Sequence, residues 1–325
     1  MTPAEIHAAA IVWDNHGCLP LEADDRFLPQ LERYRKAGVS FVSLNVGDAD
    51  VPYEQVMAVL AFFRNWIAER PDQYILVRYA DDVVTAKREG KLAVAFDIEG
   101  MISVQDDLSR IARFYDLGVR WMLMAYNKNN KAGGGCQDED TGLTALGAQI
   151  CDEMDRVGMV KCLSHTGYRT ARDVFERTTV PAIFSHSNAR TLRDHPRNIP
   201  DDLITACAAT GGVIGVNGIG IFLGDNDNRL ETMLRHIDYI ASLAGAAHVG
   251  IGLDFMFDME GFDALMAEKG HMWPAEYGYK PGIRIVPPEA LPELTEGLVR
   301  LGYSERAIRG ILGENFLRVV RQVWK

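Results

Sequence analysis

The sequence of 325 residues predicts a (β/α)8 TIM barrel of the metal-dependent hydrolase type, read as a single domain over 1–325 with helices at its C-terminal end. Three observations carry that reading. Eight apolar, β-rich runs recur along the chain, with helical periodicity between several of them. Most of these runs are continuously apolar rather than alternating, as parallel strands buried on both faces are. Six of the eight end, on their C-terminal side, in residues that bind metals or move protons, and barrel enzymes build their sites at those ends. A doubly wound open sheet is the alternative. It would usually carry a glycine-rich phosphate loop after its first strand, and D-N-H-G-C-L-P at 14–20 is not one.

The first run, 9–14, leads into Asp14, His16 and Cys18. Residues two apart on a strand share a face, so all three are expected to point at one site. The second run is 41–46, and the third is 92–98, in A-F-D-I-E-G, ending at Glu99. Asp97 lies on the same face as Glu99 and is expected to support it, as Asp14 is expected to support a metal-bound histidine. The fourth, 121–126, ends at Tyr126 and Asn127. Gly133, Gly134 and Gly135 open no phosphate-binding pattern and read as a flexible turn; Cys136 after them reads as inert.

A helix follows, with Leu146, Ile150, Met154 and Val157 on one face, Thr144 as its cap and Gly158 as its stop. The fifth run, 160–164, ends at His165 in L-S-H-T-G, and the sixth, 182–185, at His186 in I-F-S-H-S-N-A-R. The seventh is 212–216, and the eighth, 248–253, ends at Asp254. After it, G-H-M-W-P-A-E-Y-G-Y-K-P-G at 270–282 is either a lid or an ordinary surface excursion. Leu291, Leu294, Leu298 and Leu301 mark a further helix, and Ser304 caps another that carries Ile308, Ile311 and Leu312.

Composition narrows the function. The chain is 47% apolar and 24% charged, ordinary for a globular protein. A net charge of −11 argues against a nucleic-acid partner and for small-molecule chemistry. The N-terminus lacks the basic start and apolar centre of an export signal, and no apolar run has the length of a membrane span. Five cysteines, an odd number in a large chain, suggest free thiols and a cytoplasmic setting.

A lone histidine after a strand is more often a hydrogen-bonded structural residue than a ligand, and a lone glutamate is more often paired with an arginine. Two S-H motifs, a strand-end glutamate and His16 on neighbouring strand ends favour a metal site. His7, His236 and His248 lie away from those ends; His195 and His271 are expected at the surface. Ser185 and Ser187 flank His186, but no nucleophile elbow accompanies them.

With these residues assembled, the chain resembles the membrane (renal-type) dipeptidases, peptidase family M19, in the amidohydrolase-like group of barrels. The resemblance rests on D-x-H-x-x-L-P at 14–20, I-E-G at 98–100, G-L-T-x-x-G at 142–147 and L-S-H-T-G at 163–167. It continues through P-A-I-F-S-H-S-N-A-R at 181–190, R-N-I-P-D-D at 197–202, G-x-D-F at 252–255 and G-E-N-F-L-R-V at 313–319.

The resemblance implies a zinc-dependent dipeptidase with two ions, using a metal-activated hydroxide. Glu99 then bridges the metals, His16 serves one, and His165 and His186 serve the other. Arg197 grips the substrate carboxylate, and Asp254 binds the amine or shuttles a proton. Two positions depart from the family. Its first strand reads H-N-D, with a metal-binding aspartate, where this chain reads H-G-C; either Cys18 ligates as a thiolate, or it is a small interior residue and one zinc remains. Its fourth strand carries a substrate-facing histidine, where this chain has Tyr126, which can polarise the same carbonyl by donating a hydrogen bond. The expected partner is a dipeptide-like small molecule, and barrels of this kind are often homodimers. The alternatives are another amidohydrolase-type reaction (N-acyl amino acid or lactone hydrolysis, or deamination) and a non-catalytic binding relative with a degenerate metal site.

Overall fold

The computed structural model describes residues 1–104 and 107–325. Its parallel strands are β1 (Trp13–Cys18), β2 (Phe41–Asn45), β3 (Tyr74–Leu76), β4 (Leu92–Ile98), β5 (Val119–Leu123), β6 (Val160–Cys162), β7 (Ile214–Val216), β8 (Val249–Ile251) and β9 (Phe255–Met256). They run β6-β5-β4-β2-β1-β9, with β3 also paired to the start of β4, and β7 pairs β8. Residues 182–185 join the two sheets by single parallel bridges, Cys162 to Ile183 and Phe184 to Ile214. The ring closes where β9 pairs β1 and the Asp254 N–H donates to the His16 carbonyl at 3.1 Å. The expected barrel is therefore formed, with helices such as Tyr53–Ala68, Ala145–Val157 and Leu230–Ala244 between successive strands.

Several boundaries differ from the expectation. The first strand starts at Trp13, because Pro3–Ala9 is a helix capped by Thr2. The sixth run is too short for a regular ladder and holds its place by the two bridges. The Ala145–Val157 helix, by contrast, keeps both expected ends, the Thr144 cap and Gly158, whose φ of 90° suits glycine. The helix after Ser304 covers only Glu305–Arg309 before a wide turn, so Ile311 and Leu312 lie outside it.

Packing closes the end opposite the site. Trp13 and Phe41, near the strand starts, stack at 3.7 Å, and Phe316 of the C-terminal helix stacks on Trp13 at 6.0 Å. The sixth segment sits so close to β7 that a Cβ on Gly215 would lie 2.1 Å from the Ser185 carbonyl oxygen. Gly215→Ala is expected to cost about 2 kcal/mol of folding stability, read as a lowered urea midpoint; an unchanged midpoint would mean that this contact yields freely.

Candidate metal and substrate site

The C-terminal strand ends converge as the sequence suggests. Three of the residues there, Asn127, His165 and Asp254, hold positive φ values of 56°, 62° and 59°. Such backbone is uncommon outside glycine and gathers at functional sites. It turns each side chain inward just as its strand gives way to a loop.

His16 and Cys18 face this centre. The Cys18 Sγ lies 3.2 Å from His16 Nε2 and 3.1 Å from the Asp254 carboxylate. His16 Nε2 is also 3.4 Å from Glu99, and its Nδ1 is 3.2 Å from Asp97. Ser43 and Asn45 donate to Asp97 and hold it under the ring. Asp14 does not join them. Its carboxylate accepts the Leu253 N–H at 2.7 Å, because the β1–β2 register shifts between Asp14 and Gly17 and breaks the simple alternation.

Glu99 sits between three imidazoles. His186 Nε2 is 3.2 Å and His165 Nε2 3.4 Å from its Oε1, and the two Nε2 atoms face each other at 2.9 Å. Their other nitrogens are held, His165 Nδ1 by the Asn127 side-chain oxygen at 2.8 Å and His186 Nδ1 by Ser185 Oγ at 2.7 Å. Burial, with the Arg197 and His16 charges, pushes His165 well below its ordinary pKa, and burial with the His16 charge does the same to His186. Both are neutral, the form that binds a metal. Burial raises the Glu99 pKa, but His16 and then His186 outweigh it and hold the carboxyl at about 2. Burial pushes the Cys18 thiol well above its ordinary value.

These donors fit a metal. His16, Glu99 and His186 offer ligand atoms within 4.8 Å of one another, and so do His16, Cys18 and Asp254. Glu99 Oε1 is fully buried with no hydrogen-bond partner among the described residues. A buried carboxylate oxygen left open among imidazole nitrogens is a cation's place rather than a finished hydrogen-bond network.

Arg197 lies behind His186 and is 2% exposed. Its Nη2 donates to the His186 carbonyl at 3.3 Å, while Nε and Nη1 have no hydrogen-bond partner among the described residues. His195, expected at the surface, is instead buried; its Nδ1 accepts the Arg197 N–H at 3.0 Å and its Nε2 meets the Tyr277 carbonyl at 2.9 Å. His271 is exposed. Gly133–Gly135 is buried rather than flexible, for a Cβ on Gly135 would meet the Asn127 backbone at 2.2 Å.

Tyr126 stacks on His165 at 4.0 Å and lines a cavity of about 320 Å³ with Cys18 and Glu99. Its hydroxyl oxygen accepts the Trp273 indole N–H at 3.2 Å, and the Asn127 amide donates to the Met272 carbonyl at 3.2 Å. The segment after β9 therefore reaches over the site. Two residues escaped sequence reasoning. Asn45 ends β2, and Asn217 follows β7 and donates to Asp254 at 2.8 Å. The rule that picked out the other strand ends, applied to F-V-S-L-N and I-G-V-N, would have found both.

Fold and strand-end donors together define a metal-dependent hydrolase barrel of the amidohydrolase type. Comparison with known proteins is more specific: residues 12–268 match the membrane dipeptidase family, peptidase family M19, and the chain belongs to that family. It is 33% identical over 255 residues, 76% of this chain, to an uncharacterized dipeptidase of Schizosaccharomyces pombe. It is 28% identical over 283 residues, 84% of this chain and 67% of the relative, to the dipeptidase verJ of Clonostachys rogersoniana. The chain spans about half the length of two fission-yeast relatives, 56% and 51%. Among solved structures, it resembles an amidohydrolase from Pseudomonas aeruginosa with a TM-score of 0.89 and 30% identity, over 100% of this chain and 99% of that one. No helix among the described residues is long and apolar enough to cross a membrane.

Proposed function

We propose that this chain is a zinc-dependent dipeptidase that hydrolyses the amide bond of dipeptides and similar small carboxylated amides. The observation that carries the proposal is the buried Arg197 guanidinium, with Nε and Nη1 unpaired among the described residues, directly behind the metal-suited cluster of Glu99, His165 and His186. A carboxylate held there sets an adjacent amide carbonyl over Glu99. The planar guanidinium fork suits that task.

In this reading His16, Cys18 and Glu99 would hold one zinc, and Glu99, His165 and His186 would hold a second. The chemistry a bound zinc supplies is Lewis acidity, a more acidic water and a more electrophilic carbonyl. The remaining steps belong to the protein. Trp273 occupies a lone pair of the Tyr126 oxygen, which leaves the tyrosine proton free to donate to the carbonyl oxygen as negative charge develops there. Asn217 fixes one oxygen of Asp254; the other takes the proton of the attacking water and returns it to the leaving amine. Asp254 Oδ1 lies 3.6 Å from His16 Nε2, close enough to serve that water.

Assays of the purified zinc-loaded protein on dipeptides, N-acyl amino acids and lactones test the function. Turnover of dipeptides is expected. Turnover of an N-acyl amino acid or lactone but of no dipeptide would make it a different hydrolase, and binding without turnover would make it a binding protein.

Metal content tests Cys18. Freshly purified, reduced wild-type protein is expected to hold two zincs per chain and Cys18→Ala about one, because a thiolate is a good zinc ligand. One zinc in both would make Cys18 structural.

A further inference from the structure

We propose that the cavity beside the metal cluster receives the side chain of the substrate's N-terminal residue, and that it selects bulky apolar side chains over small or acidic ones. This inference rests on the dipeptidase reading above. The cavity of about 320 Å³ is lined at its inner end by Cys18, Glu99 and Tyr126. Arg197, His165 and His186 are not among its walls. Arg197 is held instead at the His186 carbonyl, while Glu99 and Tyr126 border the cavity, so the carboxylate anchor and the cavity meet different residues of the cluster. With the C-terminal carboxylate at Arg197 and the scissile carbonyl over Glu99, the cavity is left for the residue on the amine side.

Its chemistry gives the preference. Leu21, Val51, Met256, Phe262, Leu265 and Trp273 supply an apolar lining. Trp273 is fixed as a wall by its bond to Tyr126 and an edge contact with Phe262 at 5.6 Å. Glu22, Asp48 and Asp258 also border the cavity; Glu22 is paired with Arg26, and the Asp48 and Asp258 carboxyls oppose an acidic side chain. The basic wall residue, Lys269, is already paired with Asp50 at 3.0 Å. Phe262 and Leu265 lie on the helix Met259–Glu268, at the end of the family match, and Trp273 lies beyond it.

The test compares kcat/KM of the zinc-loaded enzyme for L-Phe-L-Ala, Gly-L-Ala and L-Glu-L-Ala, with the D-alanine forms run alongside. L-Phe-L-Ala is expected to exceed Gly-L-Ala by about tenfold or more, and L-Glu-L-Ala to be the slowest. Leu265→Trp, which fills the cavity, and Leu265→Glu, which adds an acid to the same wall, should each lower the Phe-to-Gly ratio at least about fivefold. Leu265 is partly exposed, so both are expected to fold, and thermal unfolding checks this. Hydrolysis of all three dipeptides at similar rates, or a ratio that neither variant moves, overturns the inference and leaves the dipeptidase reading standing. No hydrolysis of any dipeptide overturns that reading and this inference with it.

Discussion

Glu99→Ala is expected to remove dipeptide hydrolysis almost completely, by a factor on the order of 10³ in kcat/KM, about 4 kcal/mol of transition-state stabilisation. The reason is its position. One carboxylate stands 3.4 Å from His16 Nε2, 3.4 Å from His165 Nε2 and 3.2 Å from His186 Nε2. No other acid in the cluster touches all three rings, so no neighbour can take its place. Metal content should fall with activity, and elemental analysis of the purified variant checks that. The fold should survive, because the barrel's packing lies below the site, in Trp13, Phe41 and Phe316. A folded Glu99→Ala variant that retains zinc and activity would sink the site assignment.

Arg197→Met is expected to cut kcat/KM for free dipeptides by about 10²-fold, since a charge-assisted hydrogen bond contributes about 1.5–3 kcal/mol and the fork makes two. A C-terminally amidated dipeptide, which lacks the carboxylate, should lose little. Arg197→Lys should restore only part of the rate, because an ammonium cannot offer the paired donors. Stability should move differently. A buried guanidinium with Nε and Nη1 unpaired among the described residues carries a desolvation cost in the free protein. Replacing it with an apolar side chain of similar length should leave the thermal midpoint unchanged or higher. Equal losses on free and amidated substrates, or a clear loss of stability, would make Arg197 a structural residue.

The barrel was legible because buried parallel strands write themselves as apolar runs. Residues 92–98, L-A-V-A-F-D-I in β4, and the seven other runs appear in the structure in the expected order. Their ends were less legible. The stretch 182–185 is apolar enough for a strand, yet only two bridges hold it. The strands Tyr74–Leu76 and Phe255–Met256 are too short to register as periodic patterns.

Residues 11–20, I-V-W-D-N-H-G-C-L-P, show where sequence reasoning stopped. The donor types were plain in it, and alternation alone would aim Asp14, His16 and Cys18 at one point. The register shift after Asp14 turned its carboxylate to the Leu253 N–H and left His16 and Cys18 together, beside Asp254. His195 is similar. Its neighbours in sequence are polar, so it read as a surface residue, whereas the chain that crosses over it buries it against Tyr277.

By itself the sequence determined the fold class, the strand order and the set of donors at the strand ends, because side-chain periodicity and residue type are local properties. Tertiary structure alone decided which donors meet. It brought Trp273 onto Tyr126 across 147 positions and Cys18 onto Asp254 across 236. It also left Arg197 buried and partly unpaired. Those outcomes depend on loop paths, a register shift and three left-handed backbone positions, and such long-range contacts leave no periodic trace in the chain that forms them.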